Sequence, residues 1–270
     1  MTTRRGSVPR RPGVDTAFLF GPTADVPIVT TAIHAGHDLR PEIAARIALD
    51  EHTLLREEDP FTDRIATAGG TRVVVSRSRF EVDLNRPRDK AVYTTPDTAW
   101  GLEVWAEPLP GIEIERSLWI HDDFYDRMAA HLDELARQGP FVVLDVHSYN
   151  HRRGGPDASP EPQEGNPEVN VGTGSLDHRR WGELIGGFMD DLRSQEVRSH
   201  RLDVRENVRF QGGHLSRWVH ERYDGTGCAL ALEFKKDFMD EWTGEPDDGH
   251  IRELTAALAA TLPALLDRLR

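Results

Sequence analysis

Cysteine is nearly absent from this 270-residue chain, with Cys228 the single example. One thiol cannot build an intrachain disulfide framework, and it fits a reducing compartment. It lies in an apolar run, so a buried, inert thiol is expected rather than a nucleophile. Positive charge is also in short supply. Lys and Arg total 33 against 46 Asp and Glu, for a net charge of −13. That balance argues against a general nucleic-acid binder. No apolar run approaches the roughly 20 residues needed to span a bilayer. The N-terminal MTTRRGSVPRRPG is basic but has no apolar core, so it does not read as a secretory signal. Internal repeats are missing too. These absences point to a cytoplasmic protein with no membrane contact. A mobile tail over residues 1–13 and one domain over 14–270 are expected.

What is present alternates between strand and helix patterns. Phe18 to Phe20, Pro27 to Ile33, Thr71 to Val75, Phe141 to Val146 and Ala229 to Phe234 read as strands. Amphipathic spacing predicts helices over Pro41 to Arg56, Glu115 to Arg137, Asp177 to Arg193, Leu215 to Tyr223 and His250 to Arg270. Asp59-Pro60 resembles a helix start, with Asp as N-cap and Pro following. Residues 87 to 113 read as an extended, partly irregular connection. Residues 151 to 175 read as a long structureless loop, a length that is usually functional or disordered. The alternation implies an α/β fold whose mostly parallel sheet is covered on both faces.

Polar residues stand at the ends of several apolar runs: His34 in PIVTTAIHAGHD, Asp83-Leu84-Asn85-Arg86 after TRVVVSRSRF, His147 in FVVLDVHSY, Glu233 in CALALEFKK. Open α/β sheets place ligand sites at the carboxyl ends of their strands. Imidazole is a common zinc ligand, and the small residues after His34 leave room for a metal. A histidine at a strand end is, taken alone, more often a hydrogen-bonded structural residue; two of them shift the balance. Strand alternation puts Asp145 on the same side as His147, where it can orient the imidazole. A catalytic zinc usually takes three protein ligands. His37, Glu57, Glu58 and Asp59 are all candidates for the third, and spacing does not choose among them. The acidic 57–59 run also reads plainly as helix-dipole complementarity.

Glu233 closes an apolar run, where a carboxylate is costly unless paired, protonated or functional. It suits a general base; an ion pair with Lys235 or Lys236 is the structural alternative. Arg86 offers a planar fork for a substrate carboxylate, with Asn85 as neutral donor, and Arg79 can stabilise a developing oxyanion. A surface ion-pair network is the plainer reading of the same arginines, with Asp83 as their partner. Arg209 to His214 forms a Gly-Gly turn before a helix, suited to an anion or merely to helix entry. Arg152 and Arg153 in the long loop either cover the site or are solvated.

The ordered segments AIHAGHD, EEDPFTD, SRFEVDLNRP, LDVHS, NVGTG, RFQGGHLSR and ALALEF resemble the N-formylglutamate amidohydrolases, from about Ile28 to Trp242. That family looks related in turn to zinc carboxypeptidases and aspartoacylase-like deacylases. The resemblance implies a three-layer α/β/α fold with a central mixed, mostly parallel sheet and a Zn2+ site. By motif it makes His34 and His147 metal ligands, Glu233 the catalytic glutamate, Arg79 the carbonyl-polarising arginine, and Asn85 with Arg86 the carboxylate clamp. The chain departs from the carboxypeptidase His-x-x-Glu pattern, because position 37 is His37. Asp59 matches the second acid of the family's downstream acidic segment and is taken as third ligand.

The expected activity is hydrolysis of a small anionic N-acyl amino acid, most concretely N-formyl-L-glutamate to formate and glutamate. His214 or Arg217 would hold the second carboxylate. Two alternatives stand beside it: a carboxypeptidase-like or N-acyl-aspartate/glutamate deacylase, and a carboxylate-binding protein that has lost its metal.

Overall fold

Runs of β-branched and apolar residues supply the strands, and heptad-like apolar spacing supplies the helices. In the computed structural model, residues 18–21 and 26–270 are described. The tail expected over residues 1–13 lies outside them. The chain runs β1 (Phe18–Phe20), β2 (Ile28–Ala32), α1 (Pro41–Ala44), α2 (Glu51–Glu57), α3 (Thr62–Ile65) and β3 (Thr71–Val75). It continues through α4 (Gly111–Gln138), β4 (Phe141–Tyr149), β5 (Val169–Gly172), α5 (His178–Arg193), β6 (Glu196–Val197) and β7 (His200–Arg201). It ends with β8 (Val204–Glu206), α6 (His214–Arg222), β9 (Gly227–Lys235) and α7 (Asp248–Leu269). No helix among the described residues is long and apolar enough to cross a membrane.

Seven strands form one sheet in the order β1-β3-β2-β4-β9-β5-β8. The pairings among β3, β2, β4 and β9 are parallel, as is β5 with β8; β1 on β3 and β5 on β9 are antiparallel. The sheet is therefore mixed and mostly parallel. Val142, Leu144 and Val146 of β4 pack with Leu230, Leu232 and Phe234 of β9 against Phe188 of α5 and Leu258 and Leu265 of α7. Phe141, Val143 and Ala229 turn the other way, toward Phe124 and Met128 of α4 and Leu215 and Val219 of α6. All nine residues of β4 are buried, as a central parallel strand with both faces covered requires. The architecture is three-layered α/β/α.

Several local expectations are corrected. The helix expected over Pro41 to Arg56 is two short helices. Between them Ile47 bridges Trp105, and Ala48 N donates to Val104 O at 2.9 Å, so tertiary pairing overrides the helical pattern. Asp59 does not cap a helix with its side chain. Helix α3 begins at Thr62 with Phe61 as N-cap, in the left-handed region at φ 66°. The segment 151 to 175 is not structureless, because Val169–Gly172 inserts as β5 and pairs with β9. Its short polar pattern, VNVG, hid a strand that is buried only because both neighbours exist.

Candidate active site

Three side chains converge above the carboxyl ends of β2 and β4. His34 follows β2, His147 lies inside β4, and Asp59 follows α2. Asp59 Oδ2 sits 3.0 Å from His147 Nδ1 and 3.4 Å from His34 Nδ1. All three residues are buried, and their ligand atoms lie within 4.8 Å of one another. Each imidazole is held from behind by a carboxylate. His34 Nε2 lies 2.7 Å from Asp83 Oδ1, and His147 Nε2 lies 3.0 Å from Asp145 Oδ2. Asp145 is itself fixed by Thr31, whose Oγ1 donates to its Oδ1 at 2.5 Å. Alternation along β4 produces the Asp145–His147 pairing, as expected from the sequence.

The cluster fits a metal ion. His34 Nδ1 is buried without a hydrogen-bond partner, a condition rarely left uncompensated in a native protein. Two imidazole nitrogens and one carboxylate, each imidazole backed by an acid, form a donor set suited to a zinc-like cation. Charge argues the same way, since Asp59, Asp83 and Asp145 crowd two histidines. Burial alone would raise the Asp59 carboxyl, but His147 and His34 hold it well below the ordinary range. Burial would lower His147, yet Asp145 and Asp59 push it well above its ordinary value.

The other candidates for a third ligand point elsewhere. His37 bonds Glu58 at 2.6 Å and Glu51 at 2.8 Å, and its hydrogen bond with Glu58, opposed by burial, raises it to about 9. Glu58 accepts from Ser78 and His37. Glu57 accepts from Asn150 at 3.2 Å and Trp100 at 3.1 Å. The small residue Gly36 serves packing rather than metal access. A Cβ there would meet the Ser76 carbonyl carbon at 2.1 Å.

Glu233 is the Cα partner of His147 on one side and of Asn170 on the other. Since Val169 and Val171 face the opposite core, His147, Glu233 and Asn170 form one row across β4, β9 and β5. Partly buried Glu233 is raised to about 7, first by burial and then by Asp59 and Asp145 against the pull of His147. Both lysines considered as its ion-pair partners are engaged elsewhere. Lys235 Nζ donates to Gln163 at 2.7 Å. Lys236 is fully buried, and its Nζ donates to Arg56 O and Glu58 O, both at 2.6 Å. It thereby fixes the backbone leading into Asp59. Sequence reading missed this role; a lysine just past the end of an apolar strand is its only trace.

Asp83 binds more than arginines. Besides His34 it accepts from Tyr93 and from Arg79 Nη2 at 2.9 Å, with Arg86 Nε 3.5 Å away. Arg79 lies 4.9 Å from the Trp100 ring centroid, and Arg86 the same distance from Tyr93. Tyr93 and Trp100 form part of the site wall that the sequence did not reveal. The Leu84–Arg86 backbone is held by α4, through Tyr125 Oη to Leu84 O at 2.6 Å and His121 Nε2 to Arg86 O at 2.9 Å. Asn85 Oδ1 accepts from Leu215 N at 3.0 Å, and its Nδ2 lies 3.3 Å from His147 Nε2. Gly213 must lack a side chain, because a Cβ would fall 2.1 Å from Asn85 Oδ1. His214 opens α6, 6.3 Å from the His121 ring centroid, and burial lowers its pKa. Arg217 is exposed, with Nη1 3.5 Å from Gly212 O. Arg152 pairs with Asp240 at 3.1 Å, and Arg153 Nε donates to Asn150 O at 3.3 Å.

Known proteins resemble this chain in sequence and in fold. An N-formylglutamate deformylase of Pseudomonas aeruginosa is 28% identical over 267 residues, covering 90% of this chain and 92% of its own. The crystal structure of an N-formylglutamate amidohydrolase from Ralstonia eutropha superposes with a TM-score of 0.73 at 15% identity, covering 95% of this chain and 99% of its own. A gene product of Agrobacterium tumefaciens gives 0.63 at 18% identity, over 91% and 90% of the two chains. These two structures share the fold. The N-formylglutamate amidohydrolase family profile matches residues 26–239, most of the chain. The protein belongs to the N-formylglutamate amidohydrolase family.

Proposed function

We propose that this protein is a metal-dependent amidohydrolase that splits N-formyl-L-glutamate into formate and L-glutamate. The observation that carries the reading is the convergence of His34, Asp59 and His147 beside Glu233. Family membership and the name of the Pseudomonas relative supply the substrate. His34, Asp59 and His147 would hold a divalent ion, zinc by donor type, which would lower the pKa of a water and polarise the formyl oxygen.

The remaining chemistry belongs to side chains of this chain. Glu233 takes the proton of the attacking water and passes it to the leaving amine. A carboxyl near neutrality suits both transfers. Arg79, held against Asp83 and Trp100, stabilises charge growing on the formyl oxygen. Arg86, with Asn85 positioning the clamp against α6, takes the amino-acid carboxylate. Asp83 and Asp145 keep both imidazoles in place. The buried, lone Cys228 fits a reducing, cytoplasmic setting.

Metal content and a substrate panel test this together. About one divalent ion per chain, lost in the His34→Ala/His147→Ala double variant, is the expected result. Turnover of N-formyl-L-glutamate should exceed that of N-acetyl-L-glutamate, N-acetyl-L-aspartate and dipeptides. Preference for an acetylated acid or a dipeptide would favour the deacylase or carboxypeptidase reading. A metal-free protein that takes up no zinc but binds glutamate would favour a pure binder.

A further inference from the structure

On the β5 side of Glu233, away from the His34–Asp83–Arg79 chain, stands an arginine with no assigned role. Arg209 N donates to Asn170 Oδ1 at 2.8 Å, and Asn170 Nδ2 returns a bond of 2.9 Å to Phe210 O. Asn170 lies next to Glu233 in the row described above. Two strand spacings put it roughly 10 Å from His147. The guanidinium lies over two rings, 5.6 Å from the centroid of Tyr149 and 5.9 Å from that of Phe210. Its side-chain hydrogen bonds to described residues leave from Nη1, to Asn166 Oδ1 at 3.0 Å and Glu161 Oε2 at 3.5 Å. Nε is buried and has no partner. The Nε–Nη2 edge, one of those that grips a carboxylate with two parallel bonds, is thus the uncommitted side.

We infer that Arg209 is a subsite for the side-chain carboxylate of an N-acyl dicarboxylic amino acid. The inference rests on the deformylase reading above and deepens it. Arg86, with Asn85 positioning the clamp, takes the α-carboxylate, so a second anion needs a separate cation. An extended glutamyl chain carries its far carboxylate roughly 6 Å from the formyl carbon, and Arg209 is anchored on Asn170, one strand beyond Glu233. Of the two earlier candidates, Arg217 is exposed and leans on Gly212 O, and burial lowers His214 and so disfavours its charged form. Burial, reinforced by Arg153, lowers Arg209 despite Glu161 and Tyr149, and a carboxylate beside the guanidinium would favour its charged form again. Stacking on Tyr149 and Phe210 fixes the fork before substrate arrives, which limits the ordering cost of binding.

The test compares kcat/KM for N-formyl-L-glutamate and its isosteric neutral partner N-formyl-L-glutamine, using metal-loaded protein. The wild type should prefer the acid by roughly 10- to 100-fold, the range of one charge-assisted contact. In Arg209→Gln the ratio should fall close to unity, and Arg209→Lys should restore part of it. A wild type without preference, an unchanged ratio in Arg209→Gln, or loss of the ratio in Arg217→Gln instead would overturn the assignment. If the wild type hydrolyses neither compound, the deformylase reading fails by itself. Calorimetry with glutarate and glutaramate then decides the subsite. A preference for glutarate that disappears in Arg209→Gln upholds it, and no preference, or one that survives the substitution, overturns it.

Discussion

Asp59 Oδ2 lies within reach of both buried imidazoles, 3.0 Å from His147 Nδ1 and 3.4 Å from His34 Nδ1. One carboxylate oxygen thus ties the second residue after α2 to the ends of two parallel strands. Asp59→Asn keeps the shape and removes the charge. Zinc affinity, measured by chelator competition, should drop on the order of 100-fold or more. Asp145→Asn, which touches the site only through His147, should cost roughly 10- to 100-fold. Equal affinities in Asp59→Asn and wild type would remove Asp59 from the ligand set.

Glu233 should matter to turnover and not to metal retention. Glu233→Gln should bind zinc as the wild type does and lose roughly 100- to 10,000-fold in kcat. With the carboxylate as the proposed base, kcat/KM should rise with pH through an acid limb. That limb should fall at or below about 7, the metal-free position, since a bound cation favours the ionised form. A variant with wild-type kcat would end the base assignment.

The same carboxyl makes a stability prediction for the metal-free protein. Its folded pKa, about 7, lies above the ordinary 4.5. The folded state therefore binds the extra proton, and the stabilisation it brings is complete below about 4.5 and lost as pH rises through about 7. Metal-free Glu233→Gln should then be more stable than metal-free wild type at pH 8, by about 2–3 kcal/mol. Denaturant unfolding at pH 8 and near pH 4.5 checks this. A gap of the same size at both pH values would contradict the linkage.

Lys236 holds two backbone carbonyls beside Asp59. Lys236→Met fills similar volume but leaves both carbonyls buried and unpaired, at about 1–3 kcal/mol each. Zinc affinity should fall together with stability, since the 56–59 backbone loses its anchor. Full stability and full affinity in that variant would show that other bonds suffice.

If Arg79 acts as proposed, with its planar fork facing charge that grows during reaction, Arg79→Lys should lower kcat by roughly 100- to 1,000-fold with KM little changed. A rise in KM alone would instead place Arg79 among the groups that bind the ground state.

Much of this site was legible in the chain. His34, His147 and Glu233 stand out because buried parallel strands are apolar throughout, so a polar residue in their last turns is conspicuous. Asp145 was legible through strand alternation. Asp83 was read only as an arginine partner, because its bond to His34 joins residues 49 positions apart. Tyr93 and Trp100 looked like ordinary members of a charged, aromatic-poor chain, Lys236 was read only as a partner for Glu233, and Arg209 only as the start of a Gly-Gly turn. Their roles depend on which segments meet. The β5 strand escaped notice for the same reason, since four residues are too few to show a period.

The sequence by itself determined the classes of element and their approximate bounds, the α/β alternation, the acidic balance and the chemical types available at strand ends. These follow from local periodicity and composition, which act over a few residues. Only the tertiary structure decided the strand order and the antiparallel insertion of β5 beside Glu233, and it turned inward Asp59, which the family resemblance had implied and spacing alone had left among four candidates. Those outcomes depend on burial and hydrogen bonds between segments far apart in the chain. Glu58 is spent on Ser78 and His37, and Asp59 is left to face the two imidazoles.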